Sequence, residues 1–105
     1  MKAKILLSTF SNLENASKIA EILIKNDLAA CCNIIPNITS IYKWENKIQK
    51  DNEFQMIIKT SDNKIKELEK TFIRLHKYDV PEFIIIDPEY ISSDYLNWMK
   101  SILDE

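Results

Sequence analysis

Glycine is absent from the 105 residues, arginine and histidine occur once each, and the two cysteines are immediate neighbours. Each shortage excludes something. Without glycine there is no phosphate-cradling loop, and turns that need positive φ must use asparagine, the next most tolerant residue. Asn37 after Pro36 and Asn46 between Glu45 and Lys47 are where such turns are expected. A single arginine, Arg74, leaves little for bidentate recognition of phosphate or carboxylate. A formal net charge of −2 argues against a nucleic-acid partner, which calls for a basic face. One histidine and no glycine-rich turn rule out serine and cysteine hydrolase patterns, so a non-enzymatic role is expected.

Cys31 and Cys32 cannot form an ordinary disulfide with each other, and in a strand their side chains point to opposite faces. They lack the Cys-x-x-Cys spacing that lets two sulfurs reach one ion, and read as small buried apolar residues in a reducing compartment. No apolar run spans a bilayer: the one after "MKAK" ends by Ser8, too short for a signal-peptide core. A cytoplasmic protein with no membrane partner is expected.

What is present reads as one domain over residues 1–105. "AKILLST" (3–9) is a buried strand. "SNLE" offers a capping box through Ser11 and Glu14, followed by Leu13, Ala16, Ile19, Ala20, Leu23 and Ile24 at helical spacing up to Lys25 or Asn26. Residues 29–44 are rich in Ile, Thr, Tyr and Trp and predict a long strand interrupted at Pro36, which lacks an amide donor. After a turn at 45–47, residues 47–60 return as its partner, with Phe54, Met56 and Ile58 on one face. A second helix, capped by Ser61 or Asp62, presents Ile65, Leu68, Phe72 and Leu75. "PEFIIID" (81–87) is a fourth strand, and 92–103 a closing helix capped at Ser92 or Ser93. The order βαββαβ plus a C-terminal helix is a split βαβ, ferredoxin-like α+β fold: an antiparallel sheet with both main helices on one face. A domain this small buries only roughly 60–65% of its unfolded surface, so an apolar open face implies a partner subunit.

His76 sits two residues before Tyr78 and six before Glu82, where the second helix meets a strand. Capping the helix end or packing in the core is the leading reading; the functional alternative is a ligand for a divalent ion, completed by Glu82 or a group from another subunit. Tyr42, Trp44 and Trp98 carry polar handles on large rings and suit core or interface positions.

Three stretches, "LAACCNIIPNITSIYKWENKIQKDNEFQMIIKT", "LHKYDVPEFIII" and "YLNWM", resemble the CutA family of divalent-cation tolerance proteins nearly end to end. The resemblance implies a tight homotrimer in which the long hairpin strands pair between subunits. It implies a role in tolerance of divalent metals, copper especially, without catalysis. It also places a cleft between subunits, lined here by Tyr42, Trp44, Lys59, His76, Tyr78, Glu82 and Trp98. Where the family has glycine, this chain has Asn37 and Asn46. The copper ligands assigned in some members, a cysteine and two histidines, fall here on Ser8, Leu75 and His76, leaving His76 as the metal candidate for Cu2+ or another divalent cation. A second possibility is a regulatory sensor of a small ligand, like the trimeric nitrogen-regulatory PII proteins. An acylphosphatase is excluded because "STFSNLEN" has no basic residue to hold a phosphate.

Overall fold

Alternation of core and half-buried residues along the first strand fixes which face of the sheet is covered. The computed structural model describes residues 1–105. It contains β1 (Ala3–Phe10), α1 (Leu13–Lys25), β2 (Cys31–Trp44), β3 (Lys47–Ser61), a 3₁₀ turn (Asp62–Lys64), α2 (Ile65–Leu75), β4 (Ile84–Ile86) and α3 (Ser93–Leu103). The antiparallel sheet runs in the order β2-β3-β1-β4, as a split βαβ fold requires.

Leu6 and Phe10 of β1, with Met56 and Ile58 of β3, face the two main helices. There they meet Ile19 and Leu23 of α1 and Leu68 and Phe72 of α2 in one fully buried cluster. On the opposite face Ile5, Leu7 and Ile57 are half-buried, and Ile84 and Ile86 of the edge strand are exposed. α3 covers one end of that face through Met99 and Leu103, which form a separate small core with Ala30 and Ala3.

The glycine-free chain places five residues at positive φ: Asp27, Asn37, Glu45, Asn46 and Asp104. Asp27 follows the C-cap of α1, and the Leu28 amide donates to the Leu23 carbonyl at 2.9 Å, the closure of a Schellman motif. Glu45 and Asn46 both adopt positive φ, the signature of a two-residue type I′ hairpin turn. Asn37 lies in the bulge between Ile35 and Ile38, where Pro36 leaves the ladder without a donor.

Three expectations need correction. α1 is capped by Asn12, whose Oδ1 accepts from the Asn15 amide at 2.7 Å, so the Ser11–Glu14 capping box does not form. Neither Ser61 nor Asp62 caps α2: a 3₁₀ turn intervenes, and the Asp62 carboxylate accepts from the Lys2 and Asn63 amides, which hold its pKa below the usual carboxylate range. β4 is only Ile84–Ile86, because Pro81 and Pro88 keep the flanking residues out of the ladder.

The β2–β3 hairpin overreaches the rest of the sheet. β1 pairs with β3 only from Phe54 to Ser61, so residues 38–53 form a two-stranded arm with no third strand beside it. Ile41, Trp44 and Ile48 are exposed on that arm.

Candidate functional site

Where the arm leaves the sheet, it curls beside the segment joining α2 to β4. An open cleft of about 780 Å³ lies between them, lined by Thr9 at the end of β1, by Tyr42, Trp44 and Glu53 of the arm, and by Tyr78 and Glu82 of the connecting segment. Ser40, Ile41, Gln49, Asp79, Val80 and Pro81 complete the wall.

His76 anchors the segment. It is the C-cap residue of α2, and its ring stacks on Phe10 with centroids 4.3 Å apart. Nε2 lies 2.9 Å from the Thr9 carbonyl, which can only accept, so Nε2 carries the proton. Nδ1 then accepts from the Tyr78 amide at 3.0 Å. Burial lowers the histidine's affinity for a proton, partly opposed by the Thr9 carbonyl and the Glu53 charge. The neutral ring is a spacer tying the segment to the end of β1. Asn15 adds a second tie, donating from Nδ2 to the Leu75 carbonyl at the end of α2.

The fixed segment carries Tyr78 over the arm, where its hydroxyl donates to the Glu53 carboxylate. Burial, then that bond, push the phenol's ionisation well above the ordinary range. Glu53 is itself only 6% exposed, and Oε1 takes no hydrogen bond from the chain. Gln55 bridges the floor, donating from Nε2 to the Ser8 carbonyl at 2.7 Å and to Glu82 at 3.4 Å. On the exposed arm Tyr42 donates across the strands to Asp51, and that bond raises its pKa.

Of the expected cleft residues, Tyr42, Trp44, Tyr78 and Glu82 line this cavity, and His76 positions Tyr78 from behind. Lys59 and Trp98 lie elsewhere within the chain: the Lys59 ammonium is 6.0 Å from the centre of the Tyr95 ring, which packs against Trp98. Glu53 is one of eight lining residues outside the expected set, and the most deeply buried acidic one. It occupies an odd position in a strand whose even positions Met56, Ile58 and Thr60 are core, so alternation gives no reason to expect it buried.

The residues matching the copper ligands do not form a chelating set. Ser8 is fully buried with an unpartnered hydroxyl, a poor ligand for a soft or borderline ion, and Leu75 offers no donor. Both nitrogens of His76 are already engaged by backbone groups. Nowhere do three His, Cys, Asp or Glu side chains converge as a metal site would need. Cys31 and Cys32 are free, and burial pushes the Cys32 thiol up to about 12, so it stays protonated at neutral pH.

Residues 4–102 match the family model described as CutA1 divalent ion tolerance protein. The chain belongs to the CutA1 family. A solved relative, CutA1 from Ehrlichia chaffeensis, superposes with a TM-score of 0.93 at 35% identity, covering 98% of this chain and 97% of that one. The periplasmic divalent cation tolerance protein CutA of Archaeoglobus fulgidus gives 0.92 at 35% identity over 96% and 98% of the two chains. The chloroplastic protein CutA of Arabidopsis thaliana is 41% identical over 93 residues, 89% of this chain but 51% of that protein. The chain thus spans about half the length of its plant relative. These CutA relatives carry chloroplastic and periplasmic names, and no helix of this CutA chain is long and apolar enough to cross a membrane.

Proposed function

We propose that this CutA1-family chain serves tolerance of divalent metal ions, copper among them, as a non-catalytic homotrimeric binding module. Its working part is the cleft beside the hairpin arm, which neighbouring copies complete. Family membership supports the cellular role. The observation carrying the assembly is the unsupported arm. A two-stranded ribbon is marginal alone in water, yet this one exposes Ile41, Trp44 and Ile48, while the free edge at β4 exposes Ile84 and Ile86. An arm laid on a neighbour's bare face or edge resolves both, and three copies close a ring. Assembly also brings Lys59 and Trp98 of one copy towards the arm of another, which would reunite the expected inter-subunit cluster. Two free, adjacent thiols suit a reducing, cytoplasmic setting.

Light scattering on the purified protein tests the assembly. The expected mass is three times the 12.3 kDa chain, falling to one chain in Ile48→Lys. A monomeric wild type would overturn it. For the metal arm, the response is expected to act without a resident ion on His76, so copper titrations of wild type and His76→Ala should coincide. Binding lost with His76→Ala would restore the histidine as a ligand.

The size of the cleft favours a second reading, a regulatory sensor of a small ligand like the PII proteins, because inter-subunit clefts of this volume suit small molecules. Thermal shifts against a panel of nucleotides and metabolites would separate the two, since a specific ligand stabilises the folded state by mass action.

A further inference from the structure

The connection from α2 to β4 carries one side of the cleft, Tyr78 to Glu82, on very little backbone bonding. From Lys77 to Phe83 no backbone group bonds another backbone group, and a single amide, that of Tyr78, is held at all. Its holder is Nδ1 of His76, two residues back and 3.0 Å away, the arrangement of an Asx turn with a ring nitrogen in place of the side-chain oxygen. The chain is fixed on either side of this stretch. Asn15 holds the Leu75 carbonyl, the His76 amide donates to the Phe72 carbonyl at 2.9 Å, and the Phe83 ring packs on Phe72. The tie itself exists only while the His76 ring is neutral. Nε2 spends its proton on the Thr9 carbonyl, so a second proton has one place to go, the Nδ1 lone pair that Tyr78 uses. An imidazolium has two N–H donors and no acceptor, and two donors cannot share that contact. The bond to Thr9 gains from the charge, so the Tyr78 amide is the contact that gives way. Around the ring stand Thr9 and Phe10 of β1, Phe72 of α2 and Tyr78 of its own segment, and the one charge acting on it is the Glu53 carboxylate of β3. A charged ring therefore also competes with the Tyr78 hydroxyl for Glu53, the segment's other hold on the arm.

We infer that His76 and Tyr78 form a proton-operated latch: a proton on Nδ1 breaks the hydrogen bond from the Tyr78 amide and frees residues 77–82, opening the cleft on that side. Burial disfavours the charged ring, so the latch is closed at neutral pH and opens on acidification below about 6.5, as the released ring regains its ordinary affinity for a proton. As a regulation of the cleft it rests on the reading of that cleft as the working site, whereas the latch itself belongs to a single chain.

Hydrogen exchange at the Tyr78 amide tests it, followed by NMR at pH 7.5 and 5.5 at a measured oligomeric mass and corrected for the intrinsic rate at each pH. A released ring with a pKa of about 6.5 shifts the balance towards opening by up to roughly tenfold between those values, so Tyr78 protection is expected to fall about three- to tenfold. Tyr78 should also exchange well ahead of the Leu23 amide in α1, since the opening is local. His76→Asn supplies a side-chain oxygen for the same amide and cannot titrate, so it should hold Tyr78 equally at both pH values. If His76→Asn fails to fold, the wild type alone suffices, because the Tyr78 amide resonance should titrate in step with the His76 ring. Unchanged Tyr78 protection in the wild type, the same loss in His76→Asn, or a Tyr78 resonance indifferent to the ring would overturn the inference while leaving the trimer intact. Exchange of Tyr78 no faster than Leu23 would overturn it too, by showing that the segment opens only when the whole fold does. A monomeric mass with the latch working would instead sink the assembly and keep the latch.

Discussion

The two ends of the β2–β3 hairpin are built from the same strands and obey different rules. At its base, residues 54–61 are sandwiched between strands and lie under two helices; Met56, Ile58 and Thr60 are fully buried. Even the polar Thr60 is satisfied there, its hydroxyl donating to the Leu28 carbonyl at 2.6 Å. At its tip, residues 38–53 keep strand pairing but have lost their third layer, and large apolar side chains stand in solvent. The base belongs to the fold of one chain, whereas the tip exposes the apolar side chains that the proposed assembly would cover. The cleft forms at the boundary, where one strand passes from the first regime to the second.

That contrast can be broken from either side. The largest effect is expected at the base: Phe72→Ala removes a fully buried ring that packs on Phe10 and Phe83, and should cost about 3–5 kcal/mol in chemical denaturation. The corresponding truncation at the tip, Ile48→Ala, should change a single chain's folding by less than about 0.5 kcal/mol. Its consequence should instead be that the midpoint of unfolding no longer rises with protein concentration. A tip variant as damaging at high dilution as Phe72→Ala would erase the distinction.

The boundary is expected to respond to pH. His76 binds its proton less readily folded than unfolded because it is buried, so the unfolded state gains protons as pH drops below about 6.5. The stability held above that pH is therefore lost on acidification towards the lowered folded pKa. Thermal melts at pH 7.5 and 5.5 should show a larger drop for wild type than for His76→Gln.

Two smaller effects run the other way. Ser8→Ala should gain about 1 kcal/mol, because it removes a buried hydroxyl that has no partner. Glu45→Asn at the hairpin turn should gain about 0.5 kcal/mol, since asparagine tolerates positive φ better than glutamate. Denaturation midpoints check both, and a loss in either would mean the native residue makes an interaction that the chain alone does not display.

The sequence disclosed regular features and missed those set by curvature. Strand and helix order, the bulge at Pro36 and the turn at Asn46 followed from period, proline and the need for positive φ, all local causes. The cap of α1 was misplaced by one residue because Ser11 and Asn12 are both good caps, and only the backbone path chooses between them. Tyr42, Trp44, Tyr78 and Glu82 were recognisable as a set, but their division from Lys59 and Trp98 was not. That division depends on how far the hairpin outruns β1. Glu53 was invisible for the same reason, since alternation describes a flat ribbon and the arm is not flat.

The glycine-free backbone has a consequence for the denatured chain. Every residue carries a side chain beyond the α-carbon, so the unfolded ensemble samples fewer backbone states than one studded with glycine, and less conformational entropy is surrendered on folding. Five residues accept the unfavourable left-handed region in exchange. The order of this small domain thus rests partly on the stiffness of its disordered form, which no inventory of native contacts would reveal.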